Sequence, residues 1–546
     1  MTDDEELRWK IEVLRAQFED GKVFIAEHLA EDLKKSLMAI KNGPDGKVDL
    51  STVDGRVRSL SLVIAHIHQR DQAMQQISLR EIQEAYFGYI EANFGWIYKE
   101  MLKGGYDANQ YSYMVSQSQQ AVDELTSKLS QFIEGLVEFW DSVADAAYYH
   151  IQDMQTIKGV YGGDLFPSYS QNIASSCGLY LDTIVLSDPF IHSRHIFENE
   201  TSAEQARYLI KHALSVLSYK ELALADVDHP IIVIVPNRSS IDDDERNFLG
   251  DVAKEDALRH AEALFMPSFS SFEELLEFGE ALDEPGKIIR ELRDQSRLLF
   301  DDEWTSPLEQ QIVRAVESHT DMLGNKHPGR YVVGHCFGRM GQATDILFKS
   351  RYLGGTPLID APTSWKYFGW KLEYNAALSS DDMRPMHMVK GLQHAGKTDL
   401  QWLGNIPPDA LIEIRREGAM EEIREMLSSG IEGISETDPS NFFRVSDQIY
   451  ENVNEAFEKH QENVREMQRK GVSFAGKDIG SWFALGAIEL AAIAVGAPSF
   501  GAAAFAANQV IDAPKLKEIP SRFRTLRNAQ KELKKSPMGL LFRHKS

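Results

Sequence analysis

The chain has 546 residues, 43% of them hydrophobic and 26% charged, and carries a net charge of −25. At roughly 100–200 residues per domain that length predicts several domains, and the composition argues against both a disordered chain and a membrane-embedded one. Two cysteines, Cys177 and Cys336, are too few for a disulfide framework and lack any zinc spacing; free thiols fit a reducing compartment.

The N-terminal segment is acidic, without a basic region or an apolar core, so no secretion signal is expected. The first 160 residues read as long helices. Leu7, Ile11, Leu14 and Phe18, then Ile25, Leu29, Leu33, Leu37 and Ile40, recur at steps of three and four. Asn42-Gly43-Pro44-Asp45-Gly46 breaks that stripe as a turn. A second helical stretch is expected from Val57 to Lys103. In the third, Val122, Leu125, Leu129, Phe132, Leu136, Phe139, Val143 and Ala146 form an a/d seam. Its large phenylalanines favour an intramolecular bundle over a coiled-coil dimer.

From residue 160 the texture changes. Short β-branched runs at Leu179 to Leu186, Ile231 to Val235, Tyr331 to Val333 and Pro357 to Ile359 are each bounded by Pro, Gly or Asp. Helical stretches near 203–225, 244–265, 271–300 and 307–323 lie between them, which predicts a mostly parallel sheet covered by helices. The run Asp242-Asp243-Asp244-Glu245 reads as a helix N-terminus, where carboxylates complement the dipole, ahead of a metal site. His192 and His195 are expected in a solvated loop, with no third ligand at metal spacing. Trp365, Tyr367, Phe368, Trp370 and Tyr374 read as a packed helix face rather than a stacking platform. Helices are expected again from Pro408 and from Phe442 to Lys470.

Residues 482–511 are apolar around Pro498, but each arm is shorter than the roughly 20 residues that span a bilayer. A buried helical hairpin is the first expectation. The second is peripheral membrane contact, because residues 513–546 follow with ten Lys/Arg against Glu518 and Glu532. Trp482, Phe483, Lys515, Lys517, Arg522, Arg524 and Arg527 would make that membrane or partner contact. The rest of the chain holds 48 basic and 81 acidic residues, which argues against nucleic acid as a partner.

One segment suggests chemistry. Gly334-His335-Cys336-Phe337-Gly338 follows the Tyr331–Val333 run and precedes a helical pattern. It resembles the nucleophile elbow of the α/β-hydrolases, G-x-S-x-G, in the cysteine form found in proteins similar to dienelactone hydrolase. The resemblance covers about thirty residues. It implies Cys336 as nucleophile, Asp360 as the acid, His387 or His394 as the base, and the Phe337 backbone N–H in the oxyanion hole. Arg339 stands where that family has a small residue, and no HGGG-like segment is present. A P-loop, a GxGxxG after a strand and an HExxH are also absent, so no cofactor is expected.

The fold class expected is α+β and predominantly helical. Four regions are read: a helical bundle or coiled-coil-like arm over 1–160, an α/β core over 161–400, a helical region over 401–475, and an apolar hairpin plus basic tail over 476–546. In arrangement alone this resembles large bacterial proteins of stress or phage-defence loci, and no family is named from it. The function expected is a non-catalytic intracellular interaction or sensor protein. It would be cytoplasmic or peripheral at the inner membrane face, and would engage protein partners or itself through the helical arms. The alternatives are a cysteine hydrolase of ester, thioester or amide bonds, and an α/β domain that binds a nucleotide or small ligand.

Overall fold

The computed structural model describes residues 3–23, 27–168, 172–301, 303–318, 326–375, 380–395, 405–431 and 442–472. Residues 482–511 and the basic tail, with Trp482, Phe483, Lys515, Lys517, Arg522, Arg524 and Arg527, lie outside these. The fold is predominantly helical, with one small parallel sheet, as the alternating texture predicts. No helix among the described residues is long and apolar enough to cross a membrane.

The chain divides into two compact units, Met1–Ile82 with Phe139–Met154, and Gln83–Glu138 with Gln155–Ser546. In the first, helix α1 (Asp3–Glu19) packs on α3 (Gly55–Gln76), with α2 (Glu27–Met38) beside it. Ile11, Leu14, Leu33, Val48, Val53 and Val57 form its core, and Leu7, Phe18, Leu37 and Ile40 pack against them. The predicted turn closes through Gly43 N–H to Lys47 O (2.7 Å), and Gly46 takes the left-handed φ of 79° that favours glycine.

The expected helix from Val57 to Lys103 is two helices. Helix α4 (Leu79–Gly104) starts anew at Ser78, because Ser78 and Glu81 satisfy each other's backbone N–H groups as a capping box. In α5 (Gln119–Asp153) the buried residues include the seam positions Val122, Leu129, Phe132, Leu136 and Ala146, and also Trp140, Ala144, Ala147, Tyr148 and Ile151. Burial leaves Phe139 and Val143 for their C-terminal neighbours because a straight helix turns every 3.6 residues and drifts off a strict heptad.

The sheet belongs to the second unit. Strands β1 (Lys158–Tyr161), β2 (Thr183–Ser187), β3 (Ile232–Val235) and β4 (Thr356–Leu358) pair in the order β3-β2-β1-β4, all parallel. Val160 sits opposite Val185 on one side and Pro357 on the other. Pro357 is tolerated because β4 is an edge strand. The strands are buried almost throughout, which is why β3 reads as an unbroken apolar run. Helices α6 (Ser202–Ser218), α7 (Asp243–Leu264), α8 (Pro328–Leu353) and α9 (Pro362–Asn375) belong to the same unit.

Several expectations are corrected. Tyr331–Val333 is not a strand but lies in the first turns of α8. His327 caps that helix by accepting from Arg330 N–H, Pro328 occupies N1, and Gly354 ends it at φ 62°. The 271–300 stretch is two helices, Phe272–Ala281 and Pro285–Glu291, separated where Pro285 opens the second. His192 and His195 are helical and not in a loop, although His195 is exposed as expected. They lie in short helices, Pro189–His192 and Arg194–Asn199, which bury Ile191, Ile196 and Phe197. Asp242 does open α7, accepting from the N–H groups of Asp244 and Glu245.

Candidate functional site

Cys336 lies in the interior of α8, so the strand–turn–helix that an elbow requires is not formed. A Cβ placed on Gly334 or Gly338 would meet nothing within 4 Å; neither glycine serves a close approach. The thiol is buried, 3.7 Å from the Tyr367 hydroxyl, and burial pushes its pKa up to about 12. This is the reverse of the activation a nucleophile needs. Asp360 follows β4 and accepts from Ser168 N–H (3.2 Å). His387, buried, and His394, half-buried, sit on a different element, helix Ser380–Ala395. Iodoacetamide at pH 7–9 is therefore expected to leave Cys336 unmodified in the folded chain and to label it only on unfolding. Fold-dependent labelling with a midpoint below pH 8 would revive the thiolate.

Polar side chains converge elsewhere. Since all four strands are parallel, their C-terminal ends share one edge of the sheet. The chain walks from β1 to β2 to β3, then places β4 on the other side of β1, so the strand order reverses between β1 and β4. In open parallel sheets ligands bind outside the carboxyl ends at such a reversal.

At the β1/β4 end, Gly162 lets α8 come down onto the sheet; a Cβ there would meet Ile346 Cδ1 at 2.5 Å. Gly163 has φ 85°, and its carbonyl accepts from Ser364 Oγ (2.9 Å). Ser364 Oγ in turn accepts from Arg339 (2.9 Å), whose guanidinium stands 4.0 Å from Asp164. Burial raises the Asp164 pKa to about 6, opposed by Arg339 and aided by Asp360.

At the β2/β3 end, Lys349 of α8 donates to Ser187 Oγ, at the last residue of β2, and to Tyr161 O (3.3 Å). Burial lowers its pKa to about 8, with Asp345 opposing. Asp345, one turn earlier on α8, accepts from Asn237 Nδ2 through both oxygens (3.0 and 2.9 Å) and from Ser239 Oγ (3.4 Å). Asn237 and Ser239 follow β3 directly. The His192 pKa is lowered by burial, with Asp345 opposing and Lys349 assisting.

Three carboxylates and two cations thus share this edge, with hydroxyl and amide groups between them. Of the residues expected to carry chemistry, only Asp360 lies here. Ser187, Asn237, Asp345 and Lys349 were missed, although the first two carry a readable signal, a polar residue ending or just following a β-branched run. The aromatic set on α9 is a packed face, with Tyr367 and Phe368 buried. Among the described residues no cluster of three or more metal-ligating side chains is present. In comparisons with family models, curated proteins and solved structures, the chain matches none.

Proposed function

We propose that this chain is a non-catalytic sensor that holds a small polar ligand at the C-terminal edge of its parallel sheet. The observation that supports it is the convergence of Asp164, Asp360, Ser187, Asn237, Arg339 and Lys349 from strand ends and α8. Carboxylates in excess accept hydrogen bonds from hydroxyl or amine groups and repel phosphates, so a neutral, hydroxyl-bearing ligand fits best. The apolar stretch 482–511 and the basic tail are the surface we assign to the response, against an anionic membrane or an acidic partner.

The experiment follows both ends of the full chain. The unfolding temperature is read with neutral sugars and polyols, with nucleotides and with inorganic phosphate. Flotation on phosphatidylserine vesicles is read with and without the stabilising compound. A neutral compound that raises the unfolding temperature in the native chain and not in Asp164→Asn, together with flotation that needs 513–546, is expected. Stabilisation by phosphate-bearing compounds alone would overturn the ligand class. Flotation indifferent to anionic lipid, with no acidic protein bound in its place, would overturn the response surface.

A further inference from the structure

Two lysines of the second unit, buried Lys371 and half-buried Lys349, are held differently. Lys371 pairs directly with the Asp256 carboxylate, as a structural charge must. Lys349 donates to two neutral oxygens, Ser187 Oγ and Tyr161 O. The carboxylate nearest to it along α8, Asp345, is taken up by Asn237 and Ser239. Burial disfavours the charged form of Lys349, and a serine hydroxyl can accept from the ammonium or donate to the free amine. His192 Nδ1 is buried with no hydrogen-bond partner among the described residues. Its ring feels the charges of both Lys349 and Asp345. A buried imidazole nitrogen left unbonded points to a group that arrives with the ligand.

We propose that Lys349 captures a small polar aldehyde or ketone as a reversible Schiff base, with His192 carrying the proton between nitrogen and oxygen. This rests on the reading of the sheet edge as a ligand site. The Lys349 Nζ lone pair attacks the carbonyl carbon, a C–N bond forms, and the carbonyl π pair moves onto oxygen. One nitrogen proton passes to that oxygen through His192, giving the carbinolamine. The second follows as the C–O bond breaks, so both amine hydrogens leave with the oxygen as one water. No oxidant or reductant is required, and the carboxylates of the edge accept from the hydroxyls of a sugar-like carbonyl compound.

The full chain is incubated at pH 7 with D-glyceraldehyde and sodium cyanoborohydride, whose hydride fixes any imine as a secondary amine, and modification is mapped by peptide mass spectrometry. A lysine pKa near 8 instead of about 10.4 leaves roughly two-hundredfold more free amine at pH 7, so even with restricted access Lys349 should be modified at least about tenfold faster than exposed lysines. Its rate should titrate near pH 8. His192→Asn should slow Lys349 modification and leave that midpoint in place. Lys349→Arg, checked by its unfolding temperature, should abolish the fast phase. Modification of Lys349 no faster than of exposed lysines overturns the proposal. If neutral polyols still stabilise the chain in that case, the ligand site stands without the covalent step. If Lys349 reacts fast but polyols do not stabilise, capture stands and the polyol class falls.

Discussion

Replacing Lys371 with Met is expected to destabilise the larger unit by about 3–5 kcal/mol. Lys371 on α9 and Asp256 on α7 form an ion pair whose side chains are 1% and 2% exposed. Thr344 Oγ1 on α8 donates a further hydrogen bond to Asp256 (3.0 Å), so one carboxylate ties three helices together. Taking the lysine away leaves a charge that neither water nor a neighbouring cation can neutralise. His260, one turn along α7, cannot substitute. Its Nδ1 pairs with the Tyr374 hydroxyl and its Nε2 with Arg297 O, and burial lowers its pKa to about 4. Removing both charges in Asp256→Leu/Lys371→Met should recover most of the loss, because the desolvation cost goes with the pair. Urea unfolding followed by near-ultraviolet circular dichroism provides the measurement. A single variant within about 1 kcal/mol of the native chain would mean that solvent reaches the pair.

The stripe that buries this pair is readable in sequence. Leu249, Ala253, Asp256, Ala257, His260, Ala261 and Leu264 lie on one face of α7, so Asp256 and His260 announce themselves as polar residues at core positions. Lys371 likewise continues the Tyr367–Phe368 face of α9. What sequence does not show is that the two stripes meet, because the partners are separated by 115 residues. Strand β3 was legible as a pure β-branched run. Strand β1 was not, since Lys158-Gly159-Val160-Tyr161 has neither alternation nor length, and Gly159 is explained by contact with Leu181 from elsewhere in the fold. The apparent elbow failed for a local reason. His327 and Pro328 already signal a helix start, and the buried residues Val332, Val333, Cys336, Met340, Ala343 and Leu347 keep helical spacing through the supposed turn. At the sheet edge, Ser187 and Asn237 stand out as polar residues ending or following strands. Their helix partners, Lys349 and Asp345, are ordinary charges on an amphipathic helix until the topology brings α8 across the strand ends.

Replacing Gln83 with Met is expected to cost about 2–6 kcal/mol, because it leaves two buried backbone groups unbonded at roughly 1–3 kcal/mol each. Strand β3 is an edge of the sheet. Ile231 O and Val235 O bond inward to β2, so the alternate residue, Ile234, presents its N–H and C=O outward. Gln83 of α4, 1% exposed, meets both. Its Nε2 donates to Ile234 O (2.8 Å) and its Oε1 accepts from Ile234 N–H (2.9 Å), completing the ladder with one side-chain amide. Methionine keeps the volume and removes both bonds, which separates hydrogen bonding from packing. Glutamate would fail differently, since its carboxylate accepts from the N–H but has no hydrogen for the carbonyl. Faster hydrogen exchange in the peptide spanning β3, with a matching loss of stability in urea, is the expected result. Unchanged exchange there would show that water replaces the amide. The effect should reach the ligand edge as well. Asn237 leaves β3 two residues after Val235 and holds Asp345, so a frayed β3 should weaken whatever stabilisation a neutral polyol gives the native chain.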